Sequence, residues 1–287
     1  METLASGYGL PEAPRVDAAG NLYFTDAAMG GVFRLSPRGG PEVRREAAAD
    51  SAMQTILPRR KGIGGMALHA DGGLVLSGRD VIHLRPGGET RFLFNAEGVV
   101  GWNDLITDAR GRVYVGSMRT SALQNEDRVP GELWRIDGEG RGEIVYEGIE
   151  FANGVGLSPE GRTIYHSNYS EGTVLAHDLD ADGRAVNRRI FATLADASPD
   201  GLAVDETGRV WVAMGKGGGI AIFKPDGTLD HVLDVPATFV ASLCFGGADR
   251  RDLYVCTMDN TEAPKRMGTI FRTRSDVPGL PVALARV

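Results

Sequence analysis

Cysteine is nearly absent: Cys244 and Cys256 are the only two in 287 residues. Two cysteines cannot build a disulfide framework, and this scarcity points to a reducing, cytoplasmic setting. Clustered positive charge is missing too. The net charge is −7 with a pI near 5.3, and no basic run exceeds Arg59-Arg60-Lys61. A surface that tracks nucleic-acid phosphates needs a basic stripe, so that class of partner is excluded. No window approaches the ~18 apolar residues of a membrane span. Met1–Pro14 has neither a basic start nor an apolar core, so it reads as no secretory leader. Sustained 3.6-residue periodicity is absent as well. Glu42–Met53 could make a turn of helix, but Arg44, Arg45, Glu46 and Asp50 leave it no apolar face.

Glycine, by contrast, is in excess: 40 of 287 residues, about twice the usual ~7%. The glycines separate short apolar runs, as tight turns between many strands require. One phrase recurs six times: an apolar run, a turn ending in Gly, a run carrying an aromatic, and a third run. The turns are Asp17-Ala18-Ala19-Gly20, His69-Ala70-Asp71-Gly72, Asp108-Ala109-Arg110-Gly111, Ser158-Pro159-Glu160-Gly161 and Asp205-Glu206-Thr207-Gly208, with a longer sixth at Ala248–Arg251. A repeat of about 40–50 residues with three or four strands predicts propeller blades rather than solenoid rungs. The expected fold is therefore all-β, a single six-bladed β-propeller over 1–287; a pair of sandwiches is the alternative. Met1–Gly7 and Pro281–Val287 both qualify as the strand that closes the ring.

Counting back eight residues from each turn glycine gives Glu12, Gly64, Asn103, Asn153 and Asp200, with Ser242 at the sixth. These positions precede or begin the first strand of each unit, which in a propeller lines the central channel. Two carboxylates and two carboxamides would meet at one level, where the two anions repel and lose hydration unless a cation or protons intervene. An all-oxygen set suits one hard divalent cation: Ca²⁺ first, with Mg²⁺, Mn²⁺ and Zn²⁺ as alternatives. Zinc ordinarily recruits His or Cys, and none occupies this phase. The competing account is that these Asn and Asp residues bind local backbone at turns or strand starts. A metal held in the channel polarises a carbonyl and acidifies a water, and Asp200, in Ser198-Pro199-Asp200-Gly201, is the expected catalytic base.

Other signals carry less. His69 reads as a turn residue, His83 and His177 as third-strand residues, and His166 as a second-strand residue that could face the channel. Ser117 and Ser242 have no histidine at a recognisable spacing, against a Ser-His-Asp mechanism. Gly215-Lys216-Gly217-Gly218-Gly219 joins two strands and opens no helix, so it is a hairpin loop rather than a phosphate loop.

Pro11-Glu12-Ala13-Pro14, Trp102-Asn103-Asp104, Phe151-Ala152-Asn153-Gly154, Pro199-Asp200-Gly201-Leu202-Ala203-Val204-Asp205 and Leu243-Cys244-Phe245-Gly246-Gly247 resemble segments of the senescence marker protein (regucalcin), gluconolactonase and luciferin-regenerating enzyme family. The resemblance spans essentially the whole chain. It implies a six-bladed propeller, a divalent cation held by Glu12, Asn153 and Asp200, and Asn103 beside it as ligand or substrate contact. The activity implied is lactone hydrolysis with Asp200 as base. Sugar-lactonases of this family carry an arginine two residues before the Asn-Asp pair, where this chain has Gly101-Trp102. That departure predicts a less polar lactone, contacted by Trp102, Met118, Met214 and Phe239, with Met29 and the Ala47–Lys61 insertion over the entrance. Met118 and Met214 also fit plain blade packing. The same cage could serve a phosphotriesterase, an esterase, a lyase or an isomerase. The alternative from another class is a non-catalytic propeller whose metal is structural. The expected partner is a small lactone or ester, and the expected state a monomer or weak oligomer.

Overall fold

All five turn glycines, Gly20, Gly72, Gly111, Gly161 and Gly208, adopt positive φ between 64° and 87°. Each donates its N–H to the carbonyl three residues back, at 2.8–3.0 Å. The chain reverses through a left-handed residue there, which is why glycine recurs. The sixth turn follows the same path from Gly247 to Arg250, whose N–H bonds the Gly247 carbonyl. Arg250 is thus a non-glycine at φ 54°. Its Nε bonds the Gly279 carbonyl and its guanidinium pairs with Glu206, contacts that hold the unfavourable backbone in place.

The protein is described as a computed structural model covering residues 1–37, 43–44, 53–121 and 127–287. Its strands, in chain order, are β1 (Glu2–Tyr8), β2 (Pro11–Val16), β3 (Leu22–Asp26), β4 (Val32–Leu35), β5 (Val43–Arg44) and β6 (Met53–Leu57). Next come β7 (Met66–Leu68), β8 (Leu74–Leu76), β9 (Val81–Leu84) and β10 (Thr90–Phe94), then β11 (Gly101–Thr107), β12 (Val113–Met118), β13 (Gly131–Ile136) and β14 (Gly142–Ile149). β15 (Ala152–Leu157), β16 (Thr163–Asn168), β17 (Thr173–Leu179) and β18 (Ala185–Thr193) follow. The last are β19 (Leu202–Val204), β20 (Val210–Ala213), β21 (Gly219–Phe223), β22 (Leu229–Asp234), β23 (Val240–Gly246), β24 (Asp252–Thr257) and β25 (Gly268–Arg274). They form six sheets, the six blades that the repeats predict for an all-β propeller. Among the described residues the only helical turn is a 3-10 turn at Pro264–Arg266, and no helix is long and apolar enough to cross a membrane.

The chain divides into two compact units. One, residues 1–61 and 200–280, holds the sheets β2-β3-β4-β6, β19-β20-β21-β22 and β23-β24-β25-β1-β5. β1 pairs antiparallel with β25, so the N-terminal segment, not Pro281–Val287, supplies the strand after β25. Tyr8, Phe24 and Phe33 pack mutually at 5.0–5.3 Å, beside Cys244 and Cys256. Both cysteines are free and buried; burial pushes the Cys244 thiol up to about 12. The Glu42–Met53 helical turn falls largely outside the described residues. Of the Ala47–Lys61 insertion expected over the entrance, residues 47–52 lie outside the described residues, and Met53–Leu57 is the outer strand β6 of the first blade. The insertion reads as irregular in sequence because the repeat's third and fourth strands are separated there by residues 36–52.

The other unit, residues 62–199 and 281–287, holds β7 to β18 in three four-stranded sheets. The C-terminal segment bonds across two turns: Ala285 bridges His69, and the Arg286 N–H bonds the Gly111 carbonyl. In both units the inner strands are buried on both faces, as β8 and β20 are throughout. The fourth strands, such as β18 and β22, are largely exposed. That contrast explains why the first three runs of each repeat read as apolar and the fourth does not.

Gly161 and Gly111 separate backbone strain from contact. A Cβ at Gly161 meets nothing within 4 Å, whereas one at Gly111 lies 2.7 Å from the Arg286 side chain. Gly161→Ala is therefore expected to cost about 1 kcal/mol in urea unfolding, and Gly111→Ala distinctly more. Equal losses would contradict the packing of the C-terminal segment on that turn.

Candidate active site

In three of the first strands a polar side chain stands where the ladder is broken. β2 breaks register between Glu12 and Arg15, and Ala13 follows Glu12 at φ 51°. β11 breaks between Trp102 and Leu105, leaving Asn103 and Asp104 outside the pairing. β15 breaks between Ala152 and Val155, around Asn153, just after Phe151 at φ 66°. These are β-bulges, which bend a strand and re-aim a side chain. β7 and β19 take another form: each starts two residues after the corresponding position, Gly64 or Asp200. The Ser77 N–H bonds the Gly65 carbonyl, and the Ala213 N–H bonds the Gly201 carbonyl, in the same way.

In the first unit, Asp200 is buried, and its N–H bonds the Ala213 carbonyl at 2.8 Å. The next residue has to be glycine, because a Cβ at 201 would stand 2.8 Å from Ser242 Cα. Glu12 is half-buried, and its charge adds to the burial that raises the Cys256 thiol far above its ordinary range. In the second unit, Asn153 is buried and Asn103 half-buried. Asn103 Nδ2 donates to the Ala152 carbonyl at 2.8 Å, which fixes the amide plane. Its Oδ1 occupies the volume a side chain at Gly64 would need, so glycine at that position of the second repeat makes room for the carboxamide.

Trp102 is not part of an open mouth. It is fully buried, packs on Phe94 and Trp134 at 5.5 and 5.9 Å, and donates its indole N–H to Asn95 at 2.9 Å. Met118, Met214 and Phe239 are each half-buried, and Met29 is exposed. Met118 Cε lies 2.9 Å from where a Cβ at Gly101 would stand.

A cleft in the second unit is lined by Ser117, Met118, Arg119, Thr120, Arg128 and Phe151, among others. Arg119 Nε bonds Glu132 Oε1 at 2.5 Å, and Ser117 donates to the same carboxylate. Ser117 therefore anchors a buried acid rather than acting as a nucleophile. The Arg128 guanidinium lies 5.0 Å from the centre of the Phe151 ring, and among the described residues it makes no ion pair. Sequence reading missed both arginines; the signal available was that Arg119 directly follows Met118, and that Phe151 lies two residues before Asn153.

His166 does not face a channel. It is wholly buried, its Nδ1 lies 2.9 Å from the Tyr146 hydroxyl, and burial pulls its pKa down to about 3. His177 stacks on Tyr146 at 3.7 Å and is likewise lowered, to about 4, by burial.

The profile of the SMP-30/gluconolactonase/LRE-like region matches residues 10–259. A 6-deoxy-6-sulfogluconolactonase of Pseudomonas putida is 30% identical over 274 residues, covering 90% of this chain and 88% of its own length. A pentonolactonase of Haloferax volcanii is 30% identical over 242 residues, covering 82% and 77%. A solved luciferin-regenerating enzyme superposes with a TM-score of 0.84 at 22% identity, over 98% of this chain and 97% of its own, which shows the shared fold. With the repeat, the bulged first strands and this match over most of its length, the chain belongs to the SMP-30/gluconolactonase/LRE-like family.

Proposed function

We propose that the protein is a divalent-metal-dependent lactonase in which Glu12, Asn103, Asn153 and Asp200 supply oxygen ligands. The observation that carries this reading is their common position. Glu12, Asn103 and Asn153 each sit at or inside a break in a first-strand ladder, and Asp200 stands just before one. The donor set fits a hard cation: two carboxylates and two carboxamides, with no His or Cys at that position. Ca²⁺, Mg²⁺ and Mn²⁺ meet that requirement better than Zn²⁺. Such a cation supplies polarisation of a lactone carbonyl and a more acidic water.

The chain's own residues do the rest. Asp200, buried, accepts the proton of the attacking water and returns it to the departing ring oxygen. One water is added and the ring C–O bond is broken. Asn103, its amide held by the Ala152 carbonyl, presents Oδ1 in a fixed direction. Gly64 keeps that direction open.

The substrate is a hydroxylated lactone rather than an apolar one. Burial of Trp102 removes the chief apolar contact that would favour the latter. Beside Met118, Val129 and Phe151, the cleft holds Thr120 and the Arg128 guanidinium, which suits hydroxyl or anionic substituents. The two curated relatives are named for a gluconolactone derivative and a pentonolactone, which agrees with that lining.

Metal-stripped protein is expected to regain proton release on gluconolactone when Ca²⁺, Mn²⁺ or Mg²⁺ is restored, and to prefer it to dihydrocoumarin. Asp200→Asn should lower kcat by about two to three orders of magnitude. Turnover that needs no metal, or that survives Asp200→Asn, overturns the mechanism; a preference for dihydrocoumarin overturns the substrate class. Gly64→Ala, by displacing the Asn103 carboxamide, should weaken metal binding about tenfold or more. Arg128→Gln should raise KM for gluconolactone about tenfold with kcat nearly unchanged, the mark of lost uniform binding. An unchanged KM takes Arg128 out of substrate recognition.

A further inference from the structure

The second blade departs from the others at its first turn. Asp17, Asp108 and Asp205 open the corresponding turns, and each carboxylate accepts the N–H groups two and four residues on, at 2.8–3.0 Å. Four residues on from Asp108 and Asp205 stands an arginine, Arg112 or Arg209, that pairs with the same aspartate. Six residues on stands an aromatic, Tyr23, Tyr114 or Trp211. In the second blade these places hold His69, Gly73 and Val75. The carboxylate has moved to Asp71, and a second imidazole, His83, stands opposite Val75 where Arg34 and Arg135 stand in the first and third blades. The turn itself does not require this exchange, since aspartate serves it three times.

The exchange brings three donor groups together. His69 Nδ1 lies 2.7 Å from Asp71 Oδ1, and His83 Nε2 lies 3.1 Å from Asp71 Oδ2. The imidazole centres are 4.0 Å apart, and the donor atoms of all three residues fall within 4.8 Å of one another. The side chains of His69 and His83 are 12% and 4% exposed, while Asp71 is 39% exposed. Two imidazoles thus form the inner wall and a carboxylate the rim, with solvent beyond. Glycine at 73 is obligatory: a Cβ there would stand 2.9 Å from His83 Nε2 and 3.0 Å from Asp71 Oδ1. Buried His69 Nε2 has no hydrogen-bond partner, so hydrogen bonding alone does not satisfy this group.

We propose that His69, Asp71 and His83 form a second metal site, for a borderline divalent cation such as Zn²⁺, with solvent completing the shell. Two imidazoles and a carboxylate match the ligand types of zinc and not those of the all-oxygen centre. Ligands about 2.0–2.2 Å from a tetrahedral ion stand roughly 3.3–3.6 Å apart, so the two carboxylate–imidazole distances, 2.7 and 3.1 Å, need a small opening. Burial, then the neighbouring His69, lowers the pKa of His83, which favours the neutral imidazole that a metal requires. Asp71 is held down at about 2, as hydrogen bonds from Gly73 and His69 outweigh its desolvation. Arg91, facing His83 across the β9–β10 ladder, is an adjacent cation that opposes binding. The bound ion would tie the β7–β8 turn to β9 and stabilise the folded state.

Co²⁺ and Zn²⁺ titrations of the metal-stripped protein test this, read by the cobalt visible spectrum and by competition with a chromophoric chelator. The wild type should show cobalt bands of mixed imidazole and carboxylate ligation, and Asp200→Asn should keep them. His83→Gln and His69→Gln should each lose at least tenfold in affinity, while His69→Gln hydrolyses lactone normally. Zn²⁺ should raise the thermal midpoint of the wild type and of Asp200→Asn, but not of His69→Gln, whose metal-free midpoint shows that it folds. No binding to the wild type, affinity unchanged by the histidine substitutions, or binding abolished only by Asp200→Asn would each overturn the site.

Discussion

A strand covered on both faces by its neighbours has no solvent side on which to place a charge. Glu12, Asn103 and Asn153 stand at interruptions in the pairing of their first strands, and Asp200 just before pairing starts. The interruptions cost ladder hydrogen bonds and, at Ala13 and Phe151, left-handed backbone in residues other than glycine. Strain of that kind persists only where surrounding packing over-determines it. Here Ala13 is fully buried, and the Phe151 ring packs edge-on against Tyr169.

Much of the fold was legible because turn geometry demands a residue type. Left-handed backbone at a fixed phase wrote glycine into five of six repeats, and the distances between those glycines set the blade. The sixth repeat was harder to read since Arg250 takes the glycine's place, and side-chain contacts to Gly279 and Glu206 compensate for its backbone. The closing strand stayed ambiguous in sequence. Its partner, β25, lies at the far end of the chain, and no local pattern encodes a pairing of that separation. Pro281–Val287, the other contender, bonds turns instead.

The candidate site was legible by phase and not by face. Counting from the turn glycine located the polar positions, since the same eight-residue spacing recurs in five repeats although the first strands run from three to seven residues. The same count said nothing about which way a neighbour points, and Trp102 was assigned to the wrong side. It is fully buried in the packing with Phe94 and Trp134. The arginines of the cleft were invisible for another reason: Arg119 and Arg128 flank the long β12–β13 connection, which follows no repeat. His69, Asp71 and His83 looked like a turn residue, a turn residue and a strand residue. Only the pairing of β8 with β9 brings them together.

The central claim is that first-strand oxygens drawn from four repeats hold one cation. A Ca²⁺ titration of metal-stripped protein tests it most directly, because Ca²⁺ takes oxygen ligands and disregards imidazole. The account predicts one Ca²⁺ per chain, with affinity reduced by each of Glu12→Gln, Asn103→Ala, Asn153→Ala and Asp200→Asn. Affinity that survives both Glu12→Gln and Asp200→Asn would contradict it.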